Sequence, residues 1–160
     1  MDFKIRPSRP EDADRIRDLN ISGWSGEITS HQLLEQRYGR IDDRPWQQHI
    51  SDAVMHHLSL PDVTTFVAEQ DGRVIGYAAG QIRSDGSTEI GTVSYNVVDP
   101  VYRGNGIGTM LVRQVIQHLR ENGARVLSVW TQQADVPACR MYEKLGFKKL
   151  SKLVFYSQEI

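Results

Sequence analysis

The hydrophobic pattern changes its period near residue 106, and this change limits the folds open to the chain. Before it, apolar segments with strand character begin at Thr64, Val74 and Glu89, and the first two are joined by Asp71-Gly72. Asp-Gly connections favour tight two-residue hairpins, so these segments predict an antiparallel meander of three strands.

After the change, apolar residues recur at helical spacing from Ile107 to Leu119, and a short apolar segment, Val126–Trp130, follows. A strand, a helix and another strand in succession imply a parallel pair. We therefore expect an α/β fold with a mixed sheet, antiparallel first and parallel at one step.

The remaining segments fill in this plan. Further predicted features are a strand at Phe3–Arg6, a helix that starts near Pro10, helical pieces around Leu33 and Ile50–Leu58, a turn at Ser84–Ser87, a helix at Val136–Leu145 and a strand at Leu153–Tyr156. Residues 20–63 carry no motif but hold candidate pocket-lining side chains, namely Trp24, Glu27, His31, Tyr38 and Trp46.

Length and composition narrow the class of protein. The 160 residues fit one domain, 1–160, and the single cysteine, Cys139, fits a reducing compartment, so we expect a cytoplasmic protein. No apolar run is long enough for a membrane span, and a net charge of −1 with both signs mixed predicts no nucleic-acid partner. His49, His56 and His57 do not have zinc-site spacing, so no metal is expected.

A glycine-rich loop precedes the long helix. Gly104, Gly106 and Gly108 alternate at the point where the helix begins, next to Arg103, and Thr109 adds a hydroxyl in the first turn. Helix N-termini offer unpaired N–H groups, and glycines let a phosphate approach them. The G-x-G-x-G spacing matches neither the dinucleotide fingerprint nor the nucleoside-triphosphate loop. A tight turn with close helix–strand packing is the alternative interpretation.

Two motifs resemble the GNAT superfamily of N-acetyltransferases. Arg103-Gly-Asn-Gly-Ile-Gly108 matches the family signature Gln/Arg-x-x-Gly-x-Gly/Ala, and residues 135–147 nearly match a second one, Asn-x-x-Ala-x-x-x-Tyr-x-x-x-Gly-Phe. The opening segment, Arg6–Ala13, also looks like the family. The resemblance spans nearly the whole chain and is weakest over residues 20–63.

The resemblance implies a single N-acetyltransferase domain that uses acetyl-CoA as cosubstrate. The CoA pyrophosphate would bind to the glycine-rich loop, at Arg103, Gly104, Asn105, Gly106, Ile107, Gly108 and Thr109. The preceding strand, at Asn96, Val97 and Val98, would carry a bulge, splay from the parallel strand and bind the pantetheine arm. The N–H of Val97 or Val98 would polarise the thioester carbonyl. Asp135 stands where the family has Asn, and an ionised Asp can only accept hydrogen bonds, which puts its contact with CoA in doubt.

Catalytic residues also follow from the resemblance. Tyr142 matches the family's general acid, and it would bind CoA and act on the departing thiolate. Many relatives have a Glu at the position of Tyr95, so Glu89, earlier on the same strand face, is the candidate base, with water or an already neutral amine as alternatives. Cys139 as a covalent nucleophile is disfavoured, since the family transfers acetyl directly.

The predicted function is acetyl transfer from acetyl-CoA to a primary amine of a small molecule or peptide. The alternative is a non-catalytic acyl-CoA-binding regulatory module, which the Asp135 and Tyr95 departures favour. The acceptor's identity and the oligomeric state, monomer or homodimer, are left open.

Overall fold

The structure, a computed structural model, describes residues 2–24, 29–40, 42–84, 86–152 and 154–158. Glu27, Asp85 and Leu153, which appear in the sequence predictions, lie outside these residues. Five strands form one sheet in the order β1-β2-β3-β4-β5: β1 Lys4–Pro7, β2 Val63–Gln70, β3 Arg73–Ser84, β4 Glu89–Val98 and β5 Val126–Val129. The first four are antiparallel neighbours and β4 pairs with β5 in parallel, as the sequence predicted.

The described ranges contain five α-helices, and their bounds are α1 Ala13–Ser22, α2 Ser30–Tyr38, α3 Trp46–Leu58, α4 Ile107–Glu121 and α5 Val136–Lys144. Each predicted helical segment is confirmed. The Asp71-Gly72 hairpin is also confirmed, with both residues at positive φ (50° and 78°), as the favoured tight turn between twisted strands requires. None of the helices in the described ranges is long and apolar enough to cross a membrane.

The sheet separates two apolar clusters. On one face, α4 buries its stripe of Leu111, Val112, Val115, Ile116 and Leu119 against β2, β3 and β4. Burial of such side chains is worth about 2 kcal/mol each. The helix approaches closely because β3 has a glycine at position 80, where a Cβ would lie 2.6 Å from Val115 Cγ1.

The other cluster joins α1 and α3 to the opposite face through Val67, Tyr77 and Val97. Tyr77 is fully buried and donates its hydroxyl to Asn20 Oδ1 on α1. These contacts fix the side of the sheet on which α3 lies, and α3 supplies one wall of the cleft described below.

The predicted C-terminal strand is wrong in its described part. Residues 154–158 form no strand, and Val154, Phe155 and Tyr156 are 70%, 55% and 86% exposed. A strand needs a hydrogen-bonded neighbour, and an apolar run by itself does not supply one.

Candidate active site

The glycine loop begins where β4 ends. Gly104 and Gly106 have positive φ (81° and 76°), and a Cβ at either position would meet nothing within 4 Å. Gly106 lies immediately before α4, so the first-turn amides of Ile107, Gly108 and Thr109 have no partner within the helix. Left-handed backbone, free space and unpaired donors are the features by which helix N-termini bind anions.

Gly108 has a different role from the other two glycines. A Cβ at this position would lie 3.1 Å from Asn96 Nδ2 and 3.4 Å from Val98 Cγ2. The absence of a side chain therefore lets the start of α4 pack against the end of β4. Close helix–strand packing, the alternative interpretation from the sequence, therefore applies to Gly108.

Arg103 and Asn105 hold the loop in place. Arg103 donates from Nε to the Val98 carbonyl (3.2 Å) and from Nη2 to the Gly23 carbonyl after α1. Asn105 Nδ2 donates to the carbonyls of Tyr102 (3.0 Å) and Arg103 (3.2 Å). The Arg103 guanidinium is therefore held beside the loop.

Strands β4 and β5 part halfway along β4. They pair only from Ile90 with Val126 to Val93 with Val129. The register between β3 and β4 shifts between Ala79 and Gly80, which leaves Ser94 as the extra residue of a β-bulge. The splayed pair and the bulge that the resemblance implied are both present.

Beyond the bulge, β4 offers a backbone edge to the gap. The Asp99 N–H donates to the Ile75 carbonyl (2.9 Å), so Asp99 and Val97 direct their amides toward β3. Because backbone groups of a strand alternate in direction, Asn96 and Val98 direct theirs toward the gap. The alternation favours Val98 over Val97 as the donor that faces a ligand in the gap.

Helix α5 lies beside this gap. Asp135 caps the helix, since its Oδ1 accepts from the Ala138 N–H (3.1 Å). Met141 Sδ accepts from Asn96 Nδ2 (3.7 Å), which leaves Asn96 Oδ1 buried without a partner among the described residues.

Tyr142 packs edge-on against Phe147 at 5.8 Å between ring centroids. Burial, with smaller contributions from Asp135 and Cys139, raises the pKa of its phenol to about 12. Its hydroxyl makes no hydrogen bond to a described residue.

Glu89 is not brought together with these residues, and its predicted place on the same strand face as Tyr95 is wrong. The bulge turns Tyr95 to the α1–α3 side of the sheet, whereas Val93 and, by alternation, Glu89 face the α4 side. Glu89 is exposed at the first position of β4, opposite Ser84, and five residues from Ser94, or roughly 17 Å along an extended strand. Tyr95, at the family's Glu position, instead packs edge-on against Trp24 and His57. Burial raises the pKa of the Tyr95 phenol.

A cleft of about 260 Å³ opens at the bulge, on the side of the sheet that α3 covers. Its walls include Ser94 and Tyr95 from β4, Gln81 and Arg83 from β3, His57 from α3 and Trp130 after β5. Sequence analysis missed His57, Gln81 and Arg83 because residues from separate elements form no linear motif. The alternation of polar side chains at 81 and 83 in an otherwise apolar strand is the one local signal.

Residues 28–147, three quarters of the chain, match the Acetyltransferase (GNAT) family. A mycothiol acetyltransferase of Thermomonospora curvata is 36% identical over 91 residues, 57% of this chain and 30% of that protein. A putative [ribosomal protein bS18]-alanine N-acetyltransferase of Bacillus subtilis is 26% identical over 90% of this chain and 80% of its own length. This chain thus spans less than a third of the first relative.

Solved structures share the fold. An aminoglycoside N-acetyltransferase in complex with CoA superimposes with a TM-score of 0.68 at 20% identity, over 99% of this chain and 96% of the other. At that identity the likeness shows the fold alone. The sequence match over residues 28–147, the parallel strand pair that parts at a bulge and the glycine loop at α4 agree: this chain belongs to the GNAT acetyltransferase family.

Proposed function

We propose that this protein transfers an acetyl group directly from acetyl-CoA to a primary amine of a small molecule or peptide. One observation carries the proposal. The anion-binding loop before α4 continues into the unpaired edge of β4, and that edge ends at the bulge where the cleft opens. A ligand with a pyrophosphate, an amide-rich arm and a reactive end fits this order of sites.

The loop and the gap suit CoA in detail. The pyrophosphate would accept from the amides that follow Gly106, in the space that a Cβ at 104 or 106 would fill. The pantetheine amides would pair with backbone groups of Asn96 and Val98. The buried, unpartnered Asn96 Oδ1 offers a further acceptor. From Val98 to Ser94 the strand extends roughly 13 Å, so an extended arm would present the thioester near the bulge.

Tyr142 would stabilise the departing thiolate. With a pKa of about 12, its phenol keeps its proton at neutral pH, whereas a reference thiol has a pKa of ~8.5. The difference favours donation of a hydrogen bond to the sulfur over complete proton transfer. Such a bond strengthens as negative charge develops on the sulfur, so it lowers the barrier more than it tightens ground-state binding.

The amine must lose a proton before or during attack. The walls of the cleft contain no carboxylate among the described residues, and Glu89 would act only through a chain of water molecules. We propose that the neutral form of the amine binds and that its proton leaves to water after the attack. The Val98 N–H, directed toward the gap, would stabilise the carbonyl oxygen during the reaction.

The alternative function is a non-catalytic acyl-CoA-binding module, and the lack of a carboxylate in the cleft favours it. A panel of amines incubated with acetyl-CoA, with released thiol as the readout, separates the two. Release of thiol that requires both protein and amine supports the transferase. Tight CoA binding with no thiol release across the panel favours the regulatory module.

A further inference from the structure

The cleft at the β4 bulge carries a positive charge, and none of its described wall residues is an acid. Its ionisable wall residues are His57, Arg83 and Tyr95. Burial and the nearby Arg83 lower the pKa of His57, and burial raises the pKa of Tyr95, so both are neutral at pH 7. Arg83 forms no ion pair within the described residues, in contrast to Arg6, Arg15 and Arg44.

Gln81 fixes the direction of the Arg83 guanidinium. With its amide oxygen turned toward Arg83, it accepts from Nη2 (2.6 Å) and from Nε. Gln81 is 3% exposed, so this anchor is buried. These two hydrogen bonds occupy the Nε side of the guanidinium. At the tip of the side chain, one N–H of Nη1 and one N–H of Nη2 remain free to bind a ligand. Those two parallel donors match the two oxygens of a carboxylate.

We infer that the acceptor is a primary amine that also carries a carboxylate, which Arg83 binds end-on while the amine reaches the bulge. This inference rests on the proposed function, and it narrows the acceptor class. Strands β3 and β4 pair Arg83 with Ile90, four residues from Ser94, and Arg83 and Ser94 both line this cleft. That spacing suits a small amino acid or a short peptide. Trp130, which is 65% exposed beside the cleft, offers an apolar surface to the side chain of that amino acid or peptide.

The test compares amino acids with their carboxamides, at fixed acetyl-CoA, in kcat/KM from thiol release. The amine of an amino-acid carboxamide is less basic than the amine of the free amino acid, so more of it is neutral at a given pH. Without a binding site for the carboxylate, the carboxamide would therefore be the better acceptor. A preference for the acid therefore reports the binding site. We expect a preference of at least ~10-fold for the acid, as charged hydrogen bonds give.

Variants show whether Arg83 causes the preference for the acid. In Arg83→Gln the ratio of kcat/KM for acid to amide should fall to about one. Arg83→Lys keeps the charge but loses the pair of parallel N–H donors, so it should show part of the preference. Arg113→Gln, an exposed arginine on α4, is the matched control and should keep the full preference. Far-ultraviolet circular dichroism and a thermal melt confirm that each variant is folded.

Binding separates this inference from the proposed function. Calorimetric titration of acid and amide into the CoA-saturated protein needs no turnover. If no amine is acetylated but the acid binds more tightly than the amide and Arg83→Gln removes the difference, the proposed transfer fails and the carboxylate site stands. Equal binding of acid and amide, or a preference that survives Arg83→Gln, overturns the inference.

Discussion

Gly108 and Asn96 lie so close that a Cβ on Gly108 would come within 3.1 Å of the Asn96 amide nitrogen. Gly106, two residues earlier, has open space around the same position and a left-handed backbone. The two glycines belong to one signature but are required for different physical reasons, which substitutions can separate.

Gly106→Ala should weaken CoA binding, because the methyl group enters the space proposed for the pyrophosphate. The left-handed backbone costs about 1 kcal/mol for alanine, so the variant stays folded. We expect at least a tenfold increase in the dissociation constant of CoA, measured by calorimetry. Affinity equal to wild type in a folded Gly106→Ala protein would contradict the phosphate-loop assignment.

Gly108→Ala should lower stability instead. The added methyl group forces Asn96 or Val98 to move, and such overpacking costs about 1–3 kcal/mol in the free energy of unfolding, measured with urea. A Gly108→Ala protein as stable as wild type would show that α4 and β4 have room to separate.

Cys139→Ala should keep kcat within about twofold. Cys139 is half-buried, its Sγ lies 3.7 Å from the Gln132 carbonyl, and no base among the described residues is bonded to it. An adjacent base is the usual means by which a protein activates a nucleophilic thiol. Intact-protein mass spectrometry after mixing with acetyl-CoA alone is the check, and a species heavier by one acetyl group in wild type but not in Cys139→Ala would indicate a covalent route.

Stability should fall as pH falls below about 6.5. Burial, and then Arg83, lower the pKa of His57, while Asp62 opposes them and His56 adds to the lowering. The unfolded chain, with a histidine pKa of ~6.5, binds more protons than the folded protein in this range. The contribution of His57 to the free energy of unfolding is therefore fully present above about pH 6.5, and it is lost as pH falls through the folded-state pKa.

The measurement for this prediction is the free energy of unfolding at pH 7.5 and 5.5. His57→Gln should show a smaller decrease between the two than wild type. An identical decrease in both proteins would show that His57 stays protonated to the same extent folded and unfolded. Burial also lowers the pKa of His31, so His31 accounts for part of the decrease in stability that remains in His57→Gln.

Local signals predicted most of the fold. The Asp71-Gly72 hairpin and the 3.6-residue stripe of α4 are each encoded within a short stretch, and the structure has both. The run at 154–156 shows the limit of such signals. It has the composition of a strand, but a strand also needs an adjacent edge, which composition does not specify.

The site was only partly predictable for the same reason. The bulge at Ser94 is a register shift between two strands, so no single residue in the sequence indicates its position. The position of Arg103 against Gly23 depends on how separate elements pack. The cleft that brings Arg83 beside His57 and Trp130 depends on the same packing. Glu89 was proposed from side-chain alternation along β4, but the bulge at Ser94 breaks that alternation, so Glu89 and Tyr95 lie on opposite faces of the sheet.

Acetyl transfer in the gap beside Tyr142 is tested most directly by the single-turnover rate of Tyr142→Phe, with enzyme in excess over acetyl-CoA and the amine saturating. The variant keeps the contact of the ring with Phe147 and loses only the hydroxyl. Tyr156→Phe, which removes a hydroxyl from an exposed tyrosine, is the control.

We predict that Tyr142→Phe slows thiol release on the order of 10²-fold, at the low end of acid catalysis because a thiolate is already a fair leaving group. The KM for acetyl-CoA should change little, and Tyr156→Phe should match wild type. A Tyr142→Phe protein with the wild-type single-turnover rate would contradict the assignment and place stabilisation of the thiolate on water or a backbone donor.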